Sequence, residues 1–308
     1  MGRGARKPRG FRDIDGILLL NKPPGISSNN ALQRVRYLYQ ANKAGHTGSL
    51  DPLAMGLLPV CFGQATKFSS YLLDASKTYR ALCQLGQTTT TGDAEGEIIS
   101  EVSVSVNEYQ VETVLSQFRG RIEQIPPMHS AVKYKGQRLY HLARTGREIT
   151  REARPVEIYA LKMTGLSSDQ LEIEVHCSKG TYIRTLAEDI GKALGCGAFV
   201  ARLQRTGVHP FWNLPSYTPD NLSSLAEQGL GELDGCLLPV HSALTDVAEM
   251  TIDSMSVKLL QQGQCLQIEH AQQPGLLKLM SQSGQFIGLG EVAADARISA
   301  KRLMNTTA

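Results

Sequence analysis

Two short segments of the chain alternate apolar and polar residues so regularly that each reads as a half-buried strand. They carry Tyr79, Ala81, Cys83 and Leu85 in one case and Leu171, Ile173, Val175 and Cys177 in the other. A period of two places each set on one face of a sheet. Other segments repeat every three to four residues, as helices do: Leu32, Val35 and Leu38, then Val111, Val114, Leu115 and Phe118, then Ile183, Leu186, Ala187 and Ile190. Strands and helices therefore interleave along one chain.

The punctuation between these segments refines the reading. Residues 14–20 form an apolar run stopped by Asn21-Lys22-Pro23-Pro24-Gly25, a strand ending in a turn. Ser27, Ser28 or Asn29 can cap the helix that follows. Residues 45–56 hold enough glycine and proline to deny them regular structure. A buried strand is expected at 57–62 and a helix at 65–73, while 88–96 breaks the pattern. Asn107 with Gln110 resembles a capping box. Regularity fades over 125–154 except for a short helix at 139–143. A helix opens at Thr181 and is stopped by Gly195 to Gly197; a strand at 198–208 and a short helix at 220–227 come next. Past Pro239 a helix at 254–261 and apolar runs at 276–280, 286–289 and 298–303 suggest a small β-rich domain, with the border near Met250.

With 308 residues, 42% of them hydrophobic and 20% charged, the chain has the apolar content for a core and the length for more than one domain. No stretch approaches the roughly 20 apolar residues of a membrane span, and the basic start lacks a following apolar export segment. The six cysteines are scattered without a C-x-x-C pair, as expected of reduced, mostly buried thiols in a cytoplasmic protein. Net charge is only +3, but the basic residues are unevenly placed. Arg3, Arg6, Lys7, Arg9 and Arg12 form a basic arm at 1–12, and Lys133, Lys135, Arg138, Arg144, Arg147, Arg151 and Arg154 crowd a second segment. Solvated surface would explain either cluster; an anionic partner such as folded RNA would explain both.

The glycine-dense loop lacks the G-x-x-x-x-G-K-[ST] of a triphosphate site. No histidine begins an H-x-E and no P-C-x-x-C occurs, which removes zinc-dependent base deamination. The G-x-G at Gly195 to Gly197 follows a helix rather than a strand, out of context for a dinucleotide fold. What the loop does match is specific. Gly45-His46-Thr47-Gly48-Ser49-Leu50-Asp51-Pro52-Leu53-Ala54-Met55-Gly56 resembles the signature of the TruB family of tRNA pseudouridine-55 synthases. Leu20-Asn21-Lys22-Pro23-Pro24-Gly25, Lys77-Thr78-Tyr79-Arg80 and Cys177-Ser178-Lys179-Gly180-Thr181-Tyr182-Ile183-Arg184-Thr185 agree in order, so the likeness runs from about 13 to 208 and weakens beyond 240. Gly48-Ser49-Leu50-Asp51 in place of a His-Arg-Leu-Asp motif favours this family over other pseudouridine synthases.

The resemblance implies an α+β catalytic domain at 13–250 on a largely antiparallel mixed sheet. It also implies a basic RNA-binding insertion at about 124–152 and a PUA-like RNA-binding domain at 251–308. It implies a cytoplasmic monomer that acts on the T-stem-loop of tRNA without a guide RNA, since the basic stretch resembles the insertion of the stand-alone bacterial enzyme. The reaction breaks N1–C1′, turns the base and joins C5 to C1′ with no redox change, so neither metal nor organic cofactor is expected. It does need a carboxylate near sugar and base, and by resemblance this is Asp51, acting at C1′, at C6 or on the C2′ proton. Alone, Asp51 would pass for an Asp-Pro turn initiator. Arg184 is implied as the cation that pairs with the carboxylate in bidentate fashion; the alternative is a solvated first-turn arginine.

The target base must be flipped out of its stack. Tyr79 is implied as the platform under the uracil and a participant in proton transfer, with Tyr182 and Leu203 as further walls, although any of the three could be plain core. His46 is implied to contact RNA, Lys22 and Pro23 to support the catalytic loop, and Lys179 and Lys67 are weaker candidates for phosphate contact. Two other readings stay open: a tRNA-binding or RNA-folding protein on the same scaffold, and a different base-modifying enzyme such as a methyltransferase, for which no cofactor loop is found.

Overall fold

The computed structural model describes residues 11–130, 132–134, 136–145, 149–267 and 273–305. The chain opens with β1 (Gly16–Lys22), α1 (Ser28–Leu38), β2 (Ala44–His46) and β3 (Met55–Phe62), then a 3-10 turn and α2 (Ser69–Asp74). Next come β4 (Lys77–Leu85), the hairpin β5 (Gln87–Thr89) and β6 (Ile98–Glu101), α3 (Glu108–Gln117) and β7 (Gly120–Gln124). The short β8 (Lys133–Tyr134), β9 (Gln137–Arg138) and α4 (Leu139–Arg144) precede β10 (Arg154–Leu166), β11 (Gln170–Cys177), α5 (Ile183–Ala193) and β12 (Ala198–Val208). The first sheet closes through α6 (Pro219–Gln228), α7 (Leu230–Asp234) and β13 (Leu237–Leu238). Last come β14 (Ala248–Ile252), α8 (Ser254–Gln261), β15 (Leu266–Gln267), β16 (Gly275–Ser281), β17 (Phe286–Val292) and β18 (Arg297–Leu303).

The main sheet runs β13-β1-β3-β12-β4-β11-β10-β7, with β2 on β3. Its pairings are antiparallel except β12 with β3, which meet in parallel at Gln204↔Met55 and Arg205↔Gly56. Central β4 buries Tyr79, Ala81, Cys83 and Leu85 on one face, as its alternation requires. β1 instead is apolar almost throughout, because helices cover one of its faces while the 3-10 turn, α2 and the C-terminal sheet cover the other. Phe68 meets Phe286 edge to face at 5.3 Å, and Met280 and Leu289 join the same cluster. Each such buried side chain contributes about 1.5–3 kcal/mol, so the two sheets are held as neighbours by a shared apolar seam.

Several elements differ in detail from expectation. Residues 45–56 are not all loop: Gly45 and His46 pair with β3, and Met55 and Gly56 begin β3. Proline and glycine weaken a strand but do not forbid one that neighbours hold in register. The cap of α1 is Ser27, leaving Ser28 for another role, and α5 begins at Ile183 behind the cap residue Tyr182 rather than at Thr181. The expected helix at 65–73 divides into a 3-10 turn and α2. β14 spans the expected border at Met250 and pairs with β16, so it is the first strand of the C-terminal sheet. The basic arm ends in structure: Arg12 bridges to Asp234 at 2.5 Å and donates to Tyr39 O. Its residues 1–10 lie outside the described residues, as do Lys135, Arg147 and the side chains of Lys133, Arg138 and Arg144. Five cysteines are buried and Cys265 is exposed, all as free thiols. Among the described residues no helix is long and apolar enough to cross a membrane.

Candidate active site

Asp51 sits in a loop whose backbone is pinned on either side of it. Ser28 Oγ donates to Leu50 O at 2.9 Å and accepts from Leu50 N at 2.7 Å. After Asp51, Pro52 O accepts from Gly25 N at 2.8 Å and from the Lys22 ammonium at 3.3 Å. Lys22 also donates to Pro23 O and Ile26 O and is fully buried, so it ties the Pro23-Pro24-Gly25 turn to the Asp51 loop. Gly48 and Gly56, both at positive φ, frame the loop. At Gly56 a Cβ would stand 2.3 Å from Arg205 O, so this close approach of β3 to β12 requires glycine. With so many constraints, the carboxylate's position is set by the backbone before any substrate arrives.

Arg184, buried in the first turn of α5, places Nε 3.0 Å from Asp51 Oδ2 and Nη1 3.3 Å from Asp93 Oδ2. Its remaining donors go to Thr91 O at 3.0 Å and His129 O at 2.8 Å. The fork is therefore split between two carboxylates instead of gripping Asp51 with both arms. A cation in the first turn opposes the helix dipole; two carboxylates and two carbonyls outweigh that local cost. Burial lifts the Asp51 carboxyl above its ordinary range, Arg184 works against this, Asp93 adds repulsion and Lys22 attraction. Its side chain keeps 39% of its surface open, enough for a substrate to reach it.

Asp93 escaped the sequence reading. It is 2% exposed, accepts from Thr91 Oγ1 at 2.5 Å and from Glu95 N at 3.1 Å, and is held by a backbone bridge to Val200. The only local signal was a break in alternation at 88–96, which marks a turn and does not reveal that the turn folds inward. Asp93→Asn is expected to destabilise the fold by about 3 kcal/mol, because Arg184 loses the one of its two counter-charges that is itself shut off from water, at 3% side-chain exposure; denaturant titration checks it.

Tyr79 is buried on β4 beside Arg205, and Leu203 lies in the same core on β12. Burial raises the Tyr79 phenol, and the Arg205 cation opposes the rise. Tyr182, half-buried, is clasped through its backbone by Gln124, whose amide accepts from Tyr182 N at 2.9 Å and donates to Tyr182 O at 3.3 Å. The end of β7 is thereby fastened to the start of α5, and the carbonyl of His129 further along accepts from Arg184. His46 lies at the end of β2 opposite Val60, leading into the loop. Lys67 is engaged with Leu303 O at the end of β18 and with Asn305 Oδ1 just beyond it, and Lys179 forms an exposed pair with Asp74 at 2.9 Å. Sequence reasoning also missed Arg205, Gln124 and the loop role of Ser28.

Comparison with known proteins adds an independent line. Residues 36–183 match the model of the TruB family pseudouridylate synthase N-terminal domain, 184–245 the tRNA pseudouridylate synthase B C-terminal domain, and 248–304 the C-terminal domain of pseudouridine synthase II TruB. The chain is 51% identical over 298 residues to the tRNA pseudouridine synthase B of Ectopseudomonas mendocina, spanning 96% of this chain and 97% of that one. It is 45% identical over 308 residues to the namesake in Serratia proteamaculans, spanning 97% and 98%. Among solved structures, a Cbf5-Nop10-Gar1 complex contains a chain that superposes with a TM-score of 0.71 at 25% identity, covering 94% of this chain and 84% of that one. An H/ACA RNP bound to a substrate RNA containing 2′-deoxyuridine shares the fold at a TM-score of 0.72 and 23% identity, covering 94% and 85%.

Proposed function

The chain belongs to the TruB family of pseudouridylate synthases, and from that premise we propose that it isomerises uridine to pseudouridine at position 55 in the T loop of tRNA, with Asp51 as the catalytic carboxylate. The observation that carries the assignment is the 3.0 Å pair between Arg184 Nε and Asp51 Oδ2 on a loop pinned at Leu50 and Pro52. Arg184 keeps the carboxylate ionised despite burial and holds Oδ2, which leaves Oδ1 to meet the flipped nucleotide. Tyr79 is the platform beneath the uracil and takes part in proton transfer, with Tyr182 and Leu203 as walls of the pocket and His46 as an RNA contact. Lys22 and Pro23 support the loop, and Asp93 joins Arg184 as its second anion.

In this reading the enzyme is a cytoplasmic monomer and needs no guide RNA. Support comes from near full-length similarity to bacterial synthases named as single proteins and from the basic residues of the insertion. Residues 1–12 form a basic arm, the catalytic domain ends before Ala248, and the β-rich sheet beginning there is a PUA-like RNA-binding domain. Purified protein incubated with a T-stem-loop RNA, with nothing else added, should convert the target uridine; nucleoside chromatography of the product checks it. Unchanged uridine in that assay would overturn the reading.

A further inference from the structure

Arg205 is 1% exposed and ranks among the largest fully buried side chains. It lies on β12 directly across from Tyr79 on β4. Its Nε donates to Leu57 O at 2.7 Å and its Nη2 to Gly48 O at 3.2 Å, carbonyls that bracket the Asp51 loop from its two ends. From that cross-strand position its charge opposes the rise that burial causes in the Tyr79 phenol. Among the described residues no ion pair involves Arg205, and none involves the buried Lys22 or Lys77, both of which feel its repulsion. Burial first, and Arg205 with it, brings each lysine down to about 8. Three cations withdrawn from water are costly unless negative charge is delivered to them. Asp51 supplies one such charge, and the reaction develops a second.

We propose that Arg205 is a positioning residue for the proton-transfer half of the isomerisation: it locks both ends of the Asp51 loop and sets its positive charge against the Tyr79 hydroxyl, so that this oxygen takes the C5 proton. The proposal rests on the assignment of Asp51 and Tyr79 above. Once C5 has joined C1′, the C5–H bond breaks and its proton goes to the tyrosinate oxygen. The bond pair becomes the C5=C6 double bond, the C6=N1 pair moves onto N1, and N1 takes a proton from water. The hydroxide so formed recovers the phenol proton, which regenerates tyrosinate. Arg205 enters no bond; it lowers the cost of negative charge on Oη in a site shielded from solvent.

The test replaces Tyr79 by 3-fluorotyrosine and follows its fluorine resonance against pH in the otherwise unchanged chain and with Arg205→Met or Arg205→Lys. Single-turnover rates of the Tyr79 forms are measured over the same range. In Arg205→Met the phenol should titrate at higher pH, and turnover at neutral pH should fall about tenfold for each unit of that shift, recovering as pH rises. KM should hold, and Arg205→Lys should restore part of the rate. A fluorotyrosine midpoint that does not move, with a rate loss independent of pH, would overturn the proposal and leave Arg205 a structural tie. Should Arg205→Met fail to fold by circular dichroism, Arg205→Lys carries the same comparison, since its shifted charge must still move the midpoint upward. Asp51→Asn run in parallel separates the two claims: turnover in that variant rejects the site assignment and leaves the fluorine titration standing.

Discussion

Asp51→Asn is expected to abolish pseudouridine formation, by about 10⁴-fold or more, while tRNA affinity stays within about threefold of the parent. The substitution keeps the shape of the side chain and its place between Leu50 and Pro52, whose backbone groups are held by Ser28, Gly25 and Lys22. It removes only the negative charge. Single-turnover assays and filter binding on the same preparation check both halves. The acid side of the parent profile follows from the same group. Burial raises the Asp51 carboxyl, so activity should fall on acidification at a pH above the ordinary carboxylate range. The sign for stability is the reverse of a favourable ion pair. A carboxyl whose folded-state pKa lies above its unfolded value costs stability when ionised, and that cost vanishes as pH falls through the folded pKa. Asp51→Asn should therefore melt no lower than the parent at neutral pH, and a large loss of melting temperature would contradict the balance drawn for this site.

Arg184→Lys is expected to slow turnover by about 100-fold and to move the acid limb to higher pH. A lysine keeps the charge but offers one compact ammonium. It cannot serve Asp51 at 3.0 Å, Asp93 at 3.3 Å and the carbonyls of Thr91 and His129 together. Asp93, at 3% side-chain exposure, has the stronger hold because it cannot reach water, so Asp51 loses its partner first. The opposing influence of Arg184 on the Asp51 carboxyl then weakens, and burial raises that group further. A pH–rate profile separates this from simple unfolding: the variant should recover part of its rate on the alkaline side, whereas a uniform loss at every pH would point to a collapsed site.

Much of this is legible in the sequence alone. The alternation of Tyr79 to Leu85 and of Leu171 to Cys177 marked two strands because a sheet face registers every second residue; that the two pair with each other came from the structure. α8 and β12 matched their expected ranges because apolar spacing and flanking glycine act locally. The loop around Asp51 stood out through its glycine, proline and aspartate in fixed order. Where reading failed, the cause was long-range. Nothing near Met250 announces that β14 will pair with β16, since that pairing reaches across α8 and β15.

By itself the sequence determined the family, the alternation of strands and helices, and which aspartate lies in the rigid glycine-proline loop, because each of these is written in residues close together along the chain. Only the tertiary structure decided that Arg184 divides its fork between Asp51 and Asp93, that Ser28 turns away from its helix to hold Leu50, and that Arg205 sits beside Tyr79. Those pairs are separated by tens to more than a hundred residues, and a charge cannot be known to be buried until the sheet and helices that exclude water from it have come together.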